Sequence, residues 1–115
     1  MTDNATVLLF SYGTLRQDNV QMASFGRLLT GRPDALHGYT TIMTEITDPN
    51  VAATSGLKFH PMVVHTGNPA DEVPGTLFSV TEAELAAADK YEVSDYKRIK
   101  VVLKSGESAW VYVKA

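Results

Sequence analysis

Cysteine is absent from the 115 residues, which excludes a disulfide framework, thiol catalysis and thiolate metal sites. No stretch approaches the ~18 apolar residues of a membrane-spanning helix. The opening Met1-Thr2-Asp3-Asn4-Ala5-Thr6 carries neither a basic region nor an apolar segment of signal-peptide length. Charge of one sign is also lacking. Ten Lys and Arg against 13 Asp and Glu give a net charge of −3, no electrostatic footprint for nucleic acid. The short basic run Lys97, Arg98, Lys100 and Lys104 reads as a solvated strand face. The three histidines, His37, His60 and His65, lack metal-ligand spacing. These absences lead us to expect a cytoplasmic protein with no metal, no cofactor, and no nucleic-acid or membrane partner. With no repeat, low-complexity tract or linker, the expected organisation is one domain over residues 1–115.

What the chain does contain begins with Thr6-Val7-Leu8-Leu9-Phe10, a short buried strand. Ser11-Tyr12-Gly13-Thr14-Leu15-Arg16 follows, where a glycine lets the backbone turn and expose several amide N–H groups in a row. Such a row can hold a carboxylate or phosphate, though the same pattern also makes a plain turn. Asp18 with Gln21 forms a capping-box pattern for a helix presenting Met22, Phe25, Leu28 and Leu29, stopped by Gly31-Arg32-Pro33. Residues 35–43 are rich in strand formers, and residues 44–60 read as irregular. Strands are expected at 61–65 and 74–80. Thr81 then caps a second helix with Glu84 as its capping-box partner, running to about Tyr91. Two strands, Tyr96 to Leu103 and Ala109 to Val113, close the chain as a hairpin around Lys104-Ser105-Gly106-Glu107. The class is α+β.

One residue departs from its surroundings. Leu85, Ala88 and Glu92 share a face of the second helix, so a stripe that should pack on the sheet ends in a carboxylate. Partial burial, the negative end of the helix dipole and the like charge of Asp89 would all push the Glu92 pKa upward, as a general base requires. The alternative is a solvated glutamate, or one paired with Lys97 or Arg98. In the next strand, alternation puts Lys97, Ile99, Val101 and Leu103 on the buried side, and Tyr96 and Arg98 on the more exposed side beside a cleft.

Taken together, these blocks resemble the gamma-glutamylcyclotransferase-like (AIG2-like) family. Tyr12-Gly13-Thr14-Leu15 resembles its signature loop. Pro74-Gly75-Thr76-Leu77-Phe78, Asp89-Lys90-Tyr91-Glu92 and Tyr96-Lys97-Arg98 resemble its second block, an Asp-x-x-Glu followed by Tyr-x-Arg. Ala109-Trp110-Val111-Tyr112-Val113 resembles its closing strand. The resemblance implies a small, mostly antiparallel β-barrel flanked by two short helices, with a cleft between the loop and the acidic residue. In active members the substrate's own α-amine attacks its side-chain carbonyl, giving 5-oxoproline and a free amine. The family's catalytic Glu matches Glu92, and its substrate-holding loop matches Tyr12, Gly13, Thr14 and Leu15. Tyr96 joins the substrate-binding set through the Tyr-x-Arg block. The implied partner is a small γ-glutamyl molecule. The alternative is a non-catalytic module on the same fold that binds a small carboxylate or a protein.

Overall fold

The architecture follows from a strand that is apolar on both faces. In β1 (Thr6–Ser11), Leu9 and Phe10 point to opposite sides, and both are buried. Such a strand belongs inside a sheet with a layer on each side. The computed structural model describes residues 6–45, 49–56, 58–92 and 96–114, without the side chains of Val51, His60, Glu92 and Lys114. In it, β1 is the central strand of a five-stranded sheet.

Antiparallel to β1 lies β5 (Glu72–Thr81), with Phe10 opposite Leu77 and Ser11 opposite Thr76. On the other side β7 (Ser108–Lys114) runs parallel, with Phe10 opposite Val111. The outer strands are β2 (Thr30–His37), beyond β5, and β6 (Tyr96–Val102), beyond β7. A second sheet has two strands, β3 (Tyr39–Glu45) and β4 (Phe59–His65), with Met43 opposite Pro61. The helices among the described residues are α1 (Asp18–Phe25), α2 (Pro49–Ser55) and α3 (Glu82–Glu92).

Alternation along the strands divides the core in two. Phe10, Leu77, Val111 and Val113 join Leu36, Val63 and Leu103 between the two sheets. Leu9, Phe78, Val80 and Tyr112 face the other way, onto Val20 of α1 and Leu85 and Ala88 of α3. Each fully buried Leu, Val or Phe contributes about 1.5–3 kcal/mol relative to exposure.

The α+β class agrees with the sequence reading, but the barrel is not closed. No backbone ladder joins the two sheets among the described residues; tyrosines do so instead. The Tyr12 hydroxyl donates to the Tyr112 carbonyl of β7 and accepts from the Val63 N–H of β4 at 3.2 Å. The Tyr96 hydroxyl of β6 donates to the Pro61 carbonyl of β4 at 2.9 Å.

Three local expectations are corrected. Asp18 is the first residue of α1 rather than its cap, and the capping residue, Gln17, makes no side-chain bond. Gln21 is buried, and its side chain donates to Leu15 O and accepts from Leu29 N–H, both at 2.9 Å. The helix also ends earlier than expected, at Gly26, whose φ of 72° suits a left-handed cap; Met22 within the helix and Leu28 beyond it are both exposed. Gly31-Arg32-Pro33 is therefore not a helix stop. It pairs with Phe78, Leu77 and Thr76 as part of edge strand β2, the place where a sheet tolerates proline. Finally, the stretch read as irregular contains α2 and the start of β4, and the helices among the described residues number three rather than two. Residues 46–48 and 57 of that stretch lie outside the described residues.

Candidate active site at the end of the central strand

Where β1 ends, its two neighbours continue. Thr76 of β5 stands on one side and Tyr112 of β7 on the other. The chain leaves the sheet at Tyr12 and Gly13 and winds into a short 3-10 turn over Thr14–Arg16. The turn's own bonds run from Arg16 N–H to Gly13 O at 3.1 Å and from Gln17 N–H to Thr14 O at 2.9 Å. Amides at the start of such a turn lie outside its bonding. Gly13 N–H donates to the Ser11 hydroxyl at 3.4 Å. Gly13 has φ −126°, so the glycine is not required for left-handed backbone. What it supplies is room: a Cβ there would meet Pro61 Cγ at 3.7 Å and narrow the passage between loop and β4.

Behind that passage is a tight recess lined by the loop and by Pro61, Tyr96 and Tyr112. Its volume is about 10 Å³, room for a single water or one bound oxygen atom. Outside it, sharing Tyr12, Gly13, Thr14 and Pro61, is a groove of about 420 Å³ completed by Arg16, Gln17 and Thr76. That size falls in the ~300–1,000 Å³ range of small-molecule sites.

Helix α3 reaches the same place from behind the sheet. Tyr91, in its last turn, bonds through its hydroxyl to the Thr14 hydroxyl at 2.7 Å, and Glu92 is the next and final residue of the helix. The Glu92 side chain lies outside the described residues. Asp89, expected to press on Glu92 as a like charge, has partners of its own. It pairs with Arg98 at 2.9 Å and accepts from the Tyr112 hydroxyl at 2.6 Å. Arg98 in turn lies over the Trp110 ring, 4.4 Å from its centroid, so neither group is a bare charge facing the helix end.

The sequence pattern that defines gamma-glutamyl cyclotransferase, AIG2-like proteins matches residues 9–115. The chain belongs to this family. No protein with a curated description matches it. The fold recurs in a solution structure from Arabidopsis thaliana, 25% identical with a TM-score of 0.70, over 99% of this chain and 65% of that one. The chain thus spans 65% of that protein's length. A structure described as gamma-glutamyl cyclotransferase aligns with a TM-score of 0.67 at 15% identity, over 96% of this chain and 68% of the other. A uropathogenic E. coli-specific protein aligns with a TM-score of 0.67 at 21% identity, over 96% and 80%. At such identities these last two share the fold.

Within this AIG2-like fold, Tyr12, Gly13, Thr14 and Tyr96 line one recess. Leu15 does not, since its side chain turns into the core beneath the helices and only its backbone faces the loop. The hydroxyls of Tyr12 and Tyr96 are used to join the sheets, which leaves their rings as walls. Residues that the sequence reading did not assign to the site complete it. Tyr91, Thr76 and Arg16 stood inside quoted motifs without a role. Tyr112 stood in the closing-strand block, also without a role, and Pro61 carried no signal for the site, because only the approach of β4 to the loop brings it there.

Proposed function

We propose that this AIG2-like protein cleaves γ-glutamyl amides by intramolecular cyclisation, releasing 5-oxoproline and a free amine, with Glu92 as general acid/base. The observation that supports it most is the 2.7 Å bond between Tyr91 and Thr14. It ties the helix end that bears the candidate base to the loop that would hold the substrate.

In this reaction the substrate supplies the nucleophile, so no activated Ser or Cys is needed. Its α-ammonium loses a proton to Glu92, and the amine nitrogen bonds to the side-chain carbonyl carbon, closing a five-membered ring. Collapse of the tetrahedral intermediate breaks the bond to the leaving nitrogen, which takes the proton back from Glu92, while the ring nitrogen gives its second proton to water and is left as the neutral lactam N–H of 5-oxoproline. At the negative end of the α3 dipole, a carboxylate is favoured in taking up that proton. The protein's second task is to hold amine against carbonyl, an orientation effect. Amides of Gly13 to Leu15 would bind either the α-carboxylate or the developing oxyanion, and the one-oxygen recess behind them suits either group.

The test is 5-oxoproline release, followed by mass spectrometry, from a panel of γ-glutamyl amides with Glu92→Gln as control. Product from the native protein and none from the variant supports the reading. A folded native protein that releases no product from any member overturns it in favour of a non-catalytic carboxylate-binding module.

A further inference from the structure

Resting on that reaction, we propose that Arg16 is a specificity-determining residue that binds a carboxylate on the leaving amine. The preferred substrates are then γ-glutamyl amides of amino acids rather than of simple amines.

Arg16 is the one charged residue among the described residues lining the outer groove, and it does not line the inner recess. The two spaces meet at Gly13 and Thr14, the loop to which α3 is tied. A glutamyl group with its carbonyl at that junction and near Glu92 must send its leaving group outward, along the groove past Arg16. The guanidinium is also held in place. Its Nη2 donates to Tyr12 O at 2.9 Å and its Nε to Gly13 O at 3.3 Å. These bonds turn two loop carbonyls toward the arginine. A guanidinium has five N–H donors, so two carbonyls leave capacity for a carboxylate, and a fixed fork loses less freedom on binding one than a mobile chain would. The side chain is exposed, so the bond forms at the rim of a wet groove.

The experiment compares γ-glutamyl-alanine with γ-glutamyl-ethylamide, which lacks only the leaving-group carboxylate, on native protein, Arg16→Gln and Arg16→Lys. A charge-assisted hydrogen bond predicts that native protein favours γ-glutamyl-alanine in kcat/KM by about tenfold or more. Arg16→Gln should lose that preference, with kcat/KM falling, mainly through KM, about tenfold further for γ-glutamyl-alanine than for the ethylamide. Arg16→Lys, which keeps the charge without the fork, should recover part of it. An equal fall for both substrates would overturn the proposal, because it would show Arg16 only supporting the loop or holding the glutamyl end. No change for either would overturn it too. If native protein releases 5-oxoproline from neither substrate, the cyclotransferase reading itself fails and the specificity inference falls with it.

Discussion

The two ends of α3 each carry a glutamate, and their surroundings differ. At the N-terminal end, Thr81 and Glu84 cap each other, with Glu84 N–H to Thr81 Oγ1 at 3.1 Å and Thr81 N–H to Glu84 Oε1 at 2.9 Å. Arg27 closes the set with bonds of 2.5 and 2.7 Å to the same carboxylate. The Arg27 guanidinium holds the Glu84 carboxyl below its ordinary range, against the opposing push of burial, with the Thr81 amide adding to the effect. Carboxylate, dipole and cation all agree there, and the product is a stable helix start. At the C-terminal end they disagree. Glu92 stands at the negative pole, after a turn that bonds outward through Tyr91 to Thr14 and through Asp89 to Arg98 and Tyr112. On the proposed reaction, the helix would carry stability at one end and chemistry at the other.

The largest expected effect attacks that separation at the C-terminal end. Glu92→Gln should lower 5-oxoproline release by about 10²–10⁴-fold while leaving unfolding by denaturant unchanged. Tyr91→Phe comes next. Loss of one part-buried hydrogen bond should cost about 1 kcal/mol in stability. A loosened loop should lower kcat/KM about tenfold, since positioning errors near reacting groups are expensive; an unchanged rate would mean that the helix end and the loop are not coupled. Glu84→Ala sharpens the contrast from the other side, with a stability loss of about 0.5–2 kcal/mol by urea unfolding and turnover within about twofold of native.

The smallest effect is the pH dependence of that last difference. Because the Glu84 pKa is lowered in the folded protein from its ordinary 4.5, the unfolded chain binds the proton more tightly. The stabilisation is therefore complete above 4.5 and is lost as pH falls through the folded value. The gap in unfolding free energy between native protein and Glu84→Ala should narrow as pH falls below 4.5.

The helix that carries this contrast was largely legible in the sequence, because its signals are local. Thr81 and Glu84 are three residues apart, and the buried stripe of Leu85 and Ala88 follows the helical period. The same holds for β1 and for the turn of the β6–β7 hairpin, but the alternation misleads at the start of β6, where Lys97 is exposed and Tyr96 and Arg98 are half-buried. The misreadings arise where a distant group decides. Gln21 looks like a capping-box partner, yet it is claimed by the Leu15 and Leu29 backbone. Gly31 looks like a helix stop, but the glycine is needed because a Cβ there would stand 2.6 Å from the Phe78 ring across the ladder. For the site, the loop and Tyr96 were recognisable as motif residues. Tyr112 lay in the closing-strand block without a role, and Pro61 was not recognisable, since the approach of β4 to the loop through tyrosine bonds brings it in from the other sheet.

The most direct test takes native protein, Glu84→Ala and Glu92→Gln through the same two measurements, 5-oxoproline release from γ-glutamyl-alanine and free energy of unfolding in urea. The account predicts a crossed result: Glu84→Ala loses stability and keeps turnover, and Glu92→Gln keeps stability and loses turnover. Turnover that survives in Glu92→Gln would contradict it.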